Sequence, residues 1–254
     1  MDFAQSHVDG TAQYLNRKAM LLLILLSTVY SYQLLTMHPA QDVDVILMSG
    51  DNPPFSYTNE QNQIVGISVD KVTSIVNKAG LSYQIQIAPW LRAMEELKKH
   101  ENMLLYPLSR IPEREKNFKW LHAIHTIHFK LYGLEGTTSD KTANINDENN
   151  KFVCLDKSVT CAVIEGYGIK ENNIIRVTQL ELPQMVRMLL NHRISYLVIA
   201  DAQLEMIEKL MADEKKSLVT INNSSVEIKE YIASGFDIDE SVVEKLNKVI
   251  SQQE

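Results

Sequence analysis

Pro112-Glu113-Arg114 places an arginine two residues after a proline that can open a helical turn. Proline suits a first helical position, where no intrahelical N–H is needed, so the free N–H groups of the turn face back toward Ser109 and favour an anion. The guanidinium of Arg114 adds a planar fork of donors that holds a carboxylate through two parallel hydrogen bonds, a geometry lysine lacks. The same three residues also occur in ordinary charged surface turns, and the elements around them decide between the two readings. His122, His125 and His128 are a second candidate group. On a helix they would line one face and suggest zinc. The β-branched and aromatic residues from Trp120 to Phe129 favour a connecting strand instead, on which every third residue changes side. No metal or other cofactor is therefore assigned.

The elements that must carry Arg114 follow from periodicity. Val43 to Met48 is a short apolar strand that runs into the turn-rich loop Ser49-Gly50-Asp51-Asn52-Pro53-Pro54-Phe55. Val69, Val72, Ile75 and Val76 share one face of a helix. Tyr83 to Ala88 alternates as a strand, Pro89-Trp90 opens a helix reaching about Lys99, and Met103 to Tyr106 is a strand delivering Ser109 and Arg114 at its C-terminal end. Ligands of open α/β sheets bind outside the carboxyl ends of strands. The Asn52–Phe55 loop, Trp90 and Arg114 are thus expected at one edge. Tyr57 and Tyr106 are read as core, whereas Phe55 and Trp90 lie on loops at that edge and are expected to touch a ligand.

Gly136 to Asn150 reads as a surface connection, after which the rhythm resumes. Strands are expected at 151–155, 174–177, 196–200, 218–221 and 230–233, with helices at 160–166, 182–191, 202–212 and 240–252. The last strand and helix should return to the first half, giving two α/β lobes.

Residues 1–40 differ in kind. Asn16-Arg17-Lys18 is a positive flank before an apolar run from Ala19 to Leu26 that turns polar at Ser27, Thr28 and Ser31. A spanning helix needs about 20 apolar residues, so the run reads as a secretory signal, with cleavage after Ser31 or Ala40, or as an uncleaved N-terminal anchor. Export agrees with a cysteine pair, Cys154 and Cys161. On one helix their Cα atoms would stand about 10 Å apart, too far for a bridge. With Cys154 ending a strand and Cys161 opening the next helix, a bridge is feasible; two buried thiols are the other reading.

A length of 254 residues accommodates two lobes. With 25 basic against 32 acidic residues, a formal charge of -7 and no dense basic run, nucleic acid is not an expected partner.

Together, Pro53-Pro54-Phe55-Ser56-Tyr57, Gly66-Ile67-Ser68-Val69-Asp70, Pro89-Trp90, and Ser109 through Arg114 with Phe118 resemble the extracellular solute-binding proteins of the polar amino acid transport family, over nearly all of residues 43–254. The resemblance implies an α/β, two-lobed periplasmic-binding-protein-like fold of type II, two open sheets with flanking helices joined by a double-crossover hinge. The implied division is 41–128 for the first part of lobe 1, 129–228 for lobe 2 and 229–254 for the return to lobe 1. Arg114 takes the place of the arginine that grips the ligand carboxylate, and Ser109 lines the same cleft. Thr160, in Ser158-Val159-Thr160, stands where the family places a hydroxyl beside a helix N-terminus, and Asp201 where an acid receives the ligand ammonium. Asn52 belongs to the loop on the first-lobe side. Where the family often has threonine this chain has Ile111, which removes a cap hydroxyl worth about 1 kcal/mol.

The implied function is non-enzymatic binding of a small carboxylated solute, an amino acid, by closure about crossovers near 127–131 and 226–231. The implied partner is an ABC-transporter permease. The competing classes are a dehydratase-like enzyme for cyclic carboxylates on the same fold, with Glu113, His122 and Glu165 as candidate acid–base groups, and a membrane-anchored solute sensor.

Overall fold

The first half of the molecule alternates strand and helix because its apolar residues alternate between two periods, 2 and 3.6. In the computed structural model, residues 43–136, 144–221 and 225–251 are described; the apolar run near the N-terminus lies outside them. Strand β1 (Val45–Ser49) leads into the loop of Asn52–Phe55 and a small hairpin, β2 (Tyr57–Thr58) with β3 (Ile64–Val65). Helix α1 (Ile67–Lys78) follows, then β4 (Tyr83–Ile87), helix α2 (Trp90–Glu96) and β5 (Met103–Ser109). Strand β1 lies between β4 and β5, parallel to both.

Successive residues of a strand face opposite sides, and β5 shows the consequence. Leu104 and Tyr106 pack with Val69, Val72, Ile75 and Val76 of α1, the stripe expected from sequence. Met103 and Leu105 pack on the other face with Ala93, Leu97 and Phe118. Gly66 fixes how α1 begins. Its φ is 136°, and a Cβ there would fall 2.3 Å from the Phe55 carbonyl oxygen. Only glycine lets the α1 start lie against the loop, where the Ile67 and Ser68 N–H groups donate to the Pro54 and Phe55 carbonyls at 3.1 and 2.9 Å.

Strand β6 (Lys119–Leu134), 16 residues long, carries the chain out of the first half. The second half contains β7 (Phe152–Leu155), helix α3 (Val159–Gly166), β8 (Ile174–Val177), helix α4 (Leu182–Leu190), β9 (Leu197–Ala200), helix α5 (Leu204–Met211) and β10 (Leu218–Thr220). Val153, Leu197 and Ile199 face Val186 and Leu189 of α4 and Ile207 and Met211 of α5, while Phe152, Cys154 and Val198 face Cys161 and Ile164 of α3. The return runs through β11 (Val226–Ser234) to helix α6 (Glu240–Ile250), which packs Val242, Val243 and Leu246 beside α1.

Both crossovers are single long strands. Strand β6 pairs antiparallel with β11 from Lys119 to Phe129, then with β9 and β10 between Phe129 and Leu134, and β11 also pairs antiparallel with β5. Hydrogen bonding is therefore continuous in the order β10-β6-β11-β5-β1-β4. The segments expected to hinge, 127–131 and 226–231, lie side by side there, with Val226 opposite Phe129 and Ile228 opposite Ile127.

Helix α2 and strand β11 have different bounds from those read in sequence. The helix stops at Glu96 rather than near Lys99, and the strand starts at Val226, four residues earlier than expected, because pairing with β6 extends it beyond its apolar stretch. Cys154 ends up in β7 and Cys161 in the first turn of α3, with Cα atoms 5.3 Å apart, and they form a disulfide.

Candidate ligand-binding site

Ser109 ends β5, Ile111 continues in extended conformation, and Pro112–Arg114 makes one 3-10 turn with no side chain capping its start. The missing cap agrees with the loss of a hydroxyl at Ile111. So short a turn swings Arg114 inward, where it is only 5% exposed. Its Nη1 donates to the Ser109 carbonyl at 3.0 Å and its Nη2 to the Lys157 carbonyl at 2.7 Å. The guanidinium carbon lies 5.4 Å from the centre of the Trp90 ring, within cation–π range. Burial pushes the guanidinium down to about 10, with Glu230 and then Glu113 opposing, and it stays charged at neutral pH. A guanidinium has five N–H donors, so the two bonds to carbonyls leave others for a ligand.

Glu230 of β11 is the buried acid of this region, 4% exposed. The Ser109 hydroxyl donates to its Oε1 at 2.7 Å, while Oε2 is buried with no hydrogen-bond partner. Ser109 therefore holds Arg114 through its carbonyl and Glu230 through its hydroxyl. Burial raises the Glu230 carboxyl to about 7, against the opposing effects of Ser109 and Arg114. In register with Glu230 on β6 stands His125, whose Nε2 is 2.7 Å from the Ser68 hydroxyl at the start of α1. Burial, and to a lesser degree Lys71, lowers its pKa, so His125 is favoured as the neutral imidazole. The Tyr106 hydroxyl is pushed by burial to about 12; it and the nearby Ser56 hydroxyl make no well-formed hydrogen bond.

Of the residues expected to bind a ligand, Arg114, Ser109 and Trp90 come together. Trp90 is half-buried, its indole N–H enclosed without a partner, and a Cβ on Gly50 would meet its ring at 3.2 Å. Phe55 is buried among Ile127, Phe129 and the second-half cluster, its ring 6.4 Å from that of His125. Asn52 is exposed and accepts from the Gln203 side chain at 3.1 Å; the same Gln203 nitrogen reaches the Pro53 carbonyl at 3.2 Å. Thr160 is half-buried in the first turn of α3, where the capping hydroxyl is that of Ser158, which accepts from the Cys161 N–H at 3.4 Å. Asp201 opens a 3-10 turn after β9 and pairs with Lys130 at 3.0 Å. The acids acting on Arg114 are Glu230 and Glu113.

Sequence reasoning missed Glu230, Gln203 and Lys157. An acid at the edge of an apolar run reads as the solvated end of a strand, and only pairing with both β5 and β6 buries it. A polar residue beside Asp201 and a backbone carbonyl in a turn carry no local signal. Of the acid–base groups considered for an enzyme, Glu113 is exposed and Glu165 is paired with Arg176.

These features define a two-lobed α/β periplasmic-binding-protein fold of type II. The chain belongs to the bacterial extracellular solute-binding proteins, family 3, which match residues 45–252. No curated protein sequence matches it significantly. Among solved structures it is similar to a variant of arginine-bound ArgBP from T. maritima, at 17% identity and TM-score 0.66 over 83% of this chain and 95% of that one. It is also similar to the arginine-, lysine-, histidine-binding protein ArtJ from Geobacillus stearothermophilus, at 16% identity and TM-score 0.66 over 82% of this chain and 90% of that one. A histidine kinase sensor domain with similarity to periplasmic binding proteins matches at 16% identity and TM-score 0.66, covering 82% of this chain and 89% of that one. Likenesses this distant show the shared fold. Among the described residues no helix is long and apolar enough to cross a membrane.

Proposed function

We propose that the protein binds a small carboxylated solute, an amino acid, between its lobes by hinge closure, without catalysis, and delivers it outside the cytoplasm to an ABC-type permease. Lobe 1 comprises residues 41–128 and 229–254, and lobe 2 residues 129–228. One observation carries this reading: the buried guanidinium of Arg114 sits where the 3-10 turn of the first half meets the Lys157 carbonyl of the second, with donors to spare. A ligand that touches both sides stabilises the closed arrangement by its differential contacts. Arg114 takes the carboxylate, Ser109, Trp90, Phe55 and Asn52 serve the lobe 1 wall, and Thr160 and Asp201 serve lobe 2, Asp201 receiving an ammonium. The amino acids bound by ArgBP and ArtJ support the solute class.

The test is a thermal-shift screen of residues 41–254 against the L-amino acids and small carboxylates, followed by calorimetry. At least one carboxylate should raise the melting temperature, and Arg114→Ala should abolish the shift. A screen with no shift, or one unchanged in Arg114→Ala, sinks the reading. A second reading, an anchored solute sensor, is favoured by the likeness to a kinase sensor domain and by the apolar run near the N-terminus. Sequencing the N-terminus of the exported protein separates the two, since a sensor retains that run. Loss of cyclic carboxylates on incubation with the protein would support an enzyme instead.

A further inference from the structure

Three observations meet at Glu230. Its carboxyl is buried, one oxygen accepts from Ser109, and the other has no partner. Through the same Ser109 it is joined to Arg114, whose Nη1 donates to the Ser109 carbonyl. The acid and the cation act on one another electrostatically inside the protein. With both ionised, their charges cancel. A ligand carboxylate placed on Arg114 would then leave one buried negative charge in excess, and an uncompensated buried charge is costly.

We propose that Glu230 sets the charge state of the site: a ligand carboxylate that binds Arg114 binds together with one proton, which Glu230 takes up from solvent at Oε2. The balance is simple. No covalent bond in the ligand changes, one proton leaves water or buffer, and one O–H bond forms on Glu230. Arg114 and the ligand carboxylate then neutralise each other beside a neutral acid. Oε2 is the oxygen that receives the proton because Oε1 already accepts the Ser109 hydroxyl, a bond that a neutral carboxyl's carbonyl oxygen keeps. A carboxyl near 7 before the ligand arrives can change state within the neutral range.

The other titratable groups around Glu230 do not replace it. On β6, His125 faces it in register and is held toward the neutral form by burial and by Lys71 of α1. On β5, Tyr106 is pushed to about 12 and stays neutral. On the 3-10 turn, Glu113 is exposed to solvent. Glu230 is therefore a specificity-determining residue for the reading given above, on which this inference rests: the site favours carboxylates more as pH falls.

Titration calorimetry with L-glutamine, L-arginine and L-lactate, none of which changes charge between pH 6 and pH 8, tests it. Run in two buffers of different ionisation enthalpy, wild-type binding should show proton uptake approaching one per ligand at pH 8, and affinity falling by up to about tenfold from pH 7 to pH 8. Glu230→Gln, which fixes a neutral side chain, should bind with affinity independent of pH and without proton uptake. Wild-type binding with neither pH dependence nor uptake overturns the proposal and leaves the solute reading standing. Unchanged pH dependence in Glu230→Gln overturns it as well. Failure of all three probes to bind at any pH overturns this inference, while the solute reading stands or falls with the wider screen. The buffer comparison needs only wild-type protein, so it decides the matter even if the variant does not fold.

Discussion

Arg114 Nη2 donates to the Lys157 carbonyl at 2.7 Å, joining the turn after β5 to the turn between β7 and α3 across 43 residues of chain. The proposed carboxylate clamp thus already contacts both sides of the proposed cleft. Arg114→Ala removes that contact and the bond to Ser109, and Arg114→Lys keeps the charge but not the fork. Hydrogen bonds to charged groups are worth about 1.5–3 kcal/mol, so carboxylate affinity should fall at least tenfold in Arg114→Ala. Arg114→Lys should lie between that variant and wild type, as measured by calorimetry. Equal binding by all three proteins would remove Arg114 from the site.

Stability should respond to pH through Glu230 and His125 in opposite senses. Glu230 has a folded pKa raised from 4.5 to about 7, so the folded state holds its proton more tightly than the unfolded one, and stability falls as pH rises across that window before levelling off. The full effect is on the order of 3 kcal/mol. His125 has a lowered folded pKa, so its contribution is present above 6.5 and is lost as pH falls through the folded value. Urea unfolding at pH 5, 6, 7 and 8 should therefore show Glu230→Gln losing less stability than wild type between pH 5 and pH 7. Parallel curves would mean that Glu230 titrates as it does in the unfolded chain.

The Cys154–Cys161 disulfide ties β7 to the first turn of α3, and Lys157 lies on the turn it encloses. Closing so short a loop stabilises by about 2–3 kcal/mol on chain-entropy grounds. Replacing both cysteines by serine should lower the urea midpoint accordingly. It should also weaken carboxylate binding, because the turn that offers the Lys157 carbonyl to Arg114 loses its pin. An affinity unchanged by the double substitution would show that the turn is held by other contacts.

Gly66→Ala should be among the most damaging single substitutions in the first half. The new Cβ meets backbone at 2.3 Å, and the residue must keep a φ of 136°. A conformation reserved for glycine costs about 1–3 kcal/mol before the clash is counted. The melting temperature should drop by several degrees, and ligand affinity should fall with it, because the Pro54–Phe55 backbone is what the new methyl displaces. A variant with wild-type melting would contradict this geometry.

Asp201 and Lys130 form a partly exposed pair at 3.0 Å. Such pairs contribute about 0–1 kcal/mol, so Asp201→Asn should leave the melting temperature nearly unchanged. Its effect on ligands is the informative part. If Asp201 receives an ammonium, the variant should bind L-glutamine more weakly while binding L-lactate as before. Equal effects on both ligands would remove it as the ammonium site.

Local sequence determined the elements and much of their order. The stripe of Val69, Val72, Ile75 and Val76, the strand that delivers Ser109, and the proline-led turn that carries Arg114 are all readable because periodicity and turn chemistry act over a few residues. The cysteine pair was readable conditionally: seven positions apart, Cys154 and Cys161 bridge only because a strand ends between them and a helix begins.

Tertiary structure alone decided what those elements bring together. Glu230 lies 121 residues from Ser109 in sequence, and it becomes a buried acid only because β11 inserts between β5 and β6. Asp201 finds Lys130 because β9 pairs with β6, and Gln203 rather than Asp201 reaches the Asn52 loop. Such partners are set by packing between distant segments, and their burial and charge depend on neighbours that no local pattern specifies. The sequence determined that an arginine stands at the end of a strand; the fold decided that it shares a serine with an acid able to take up a proton.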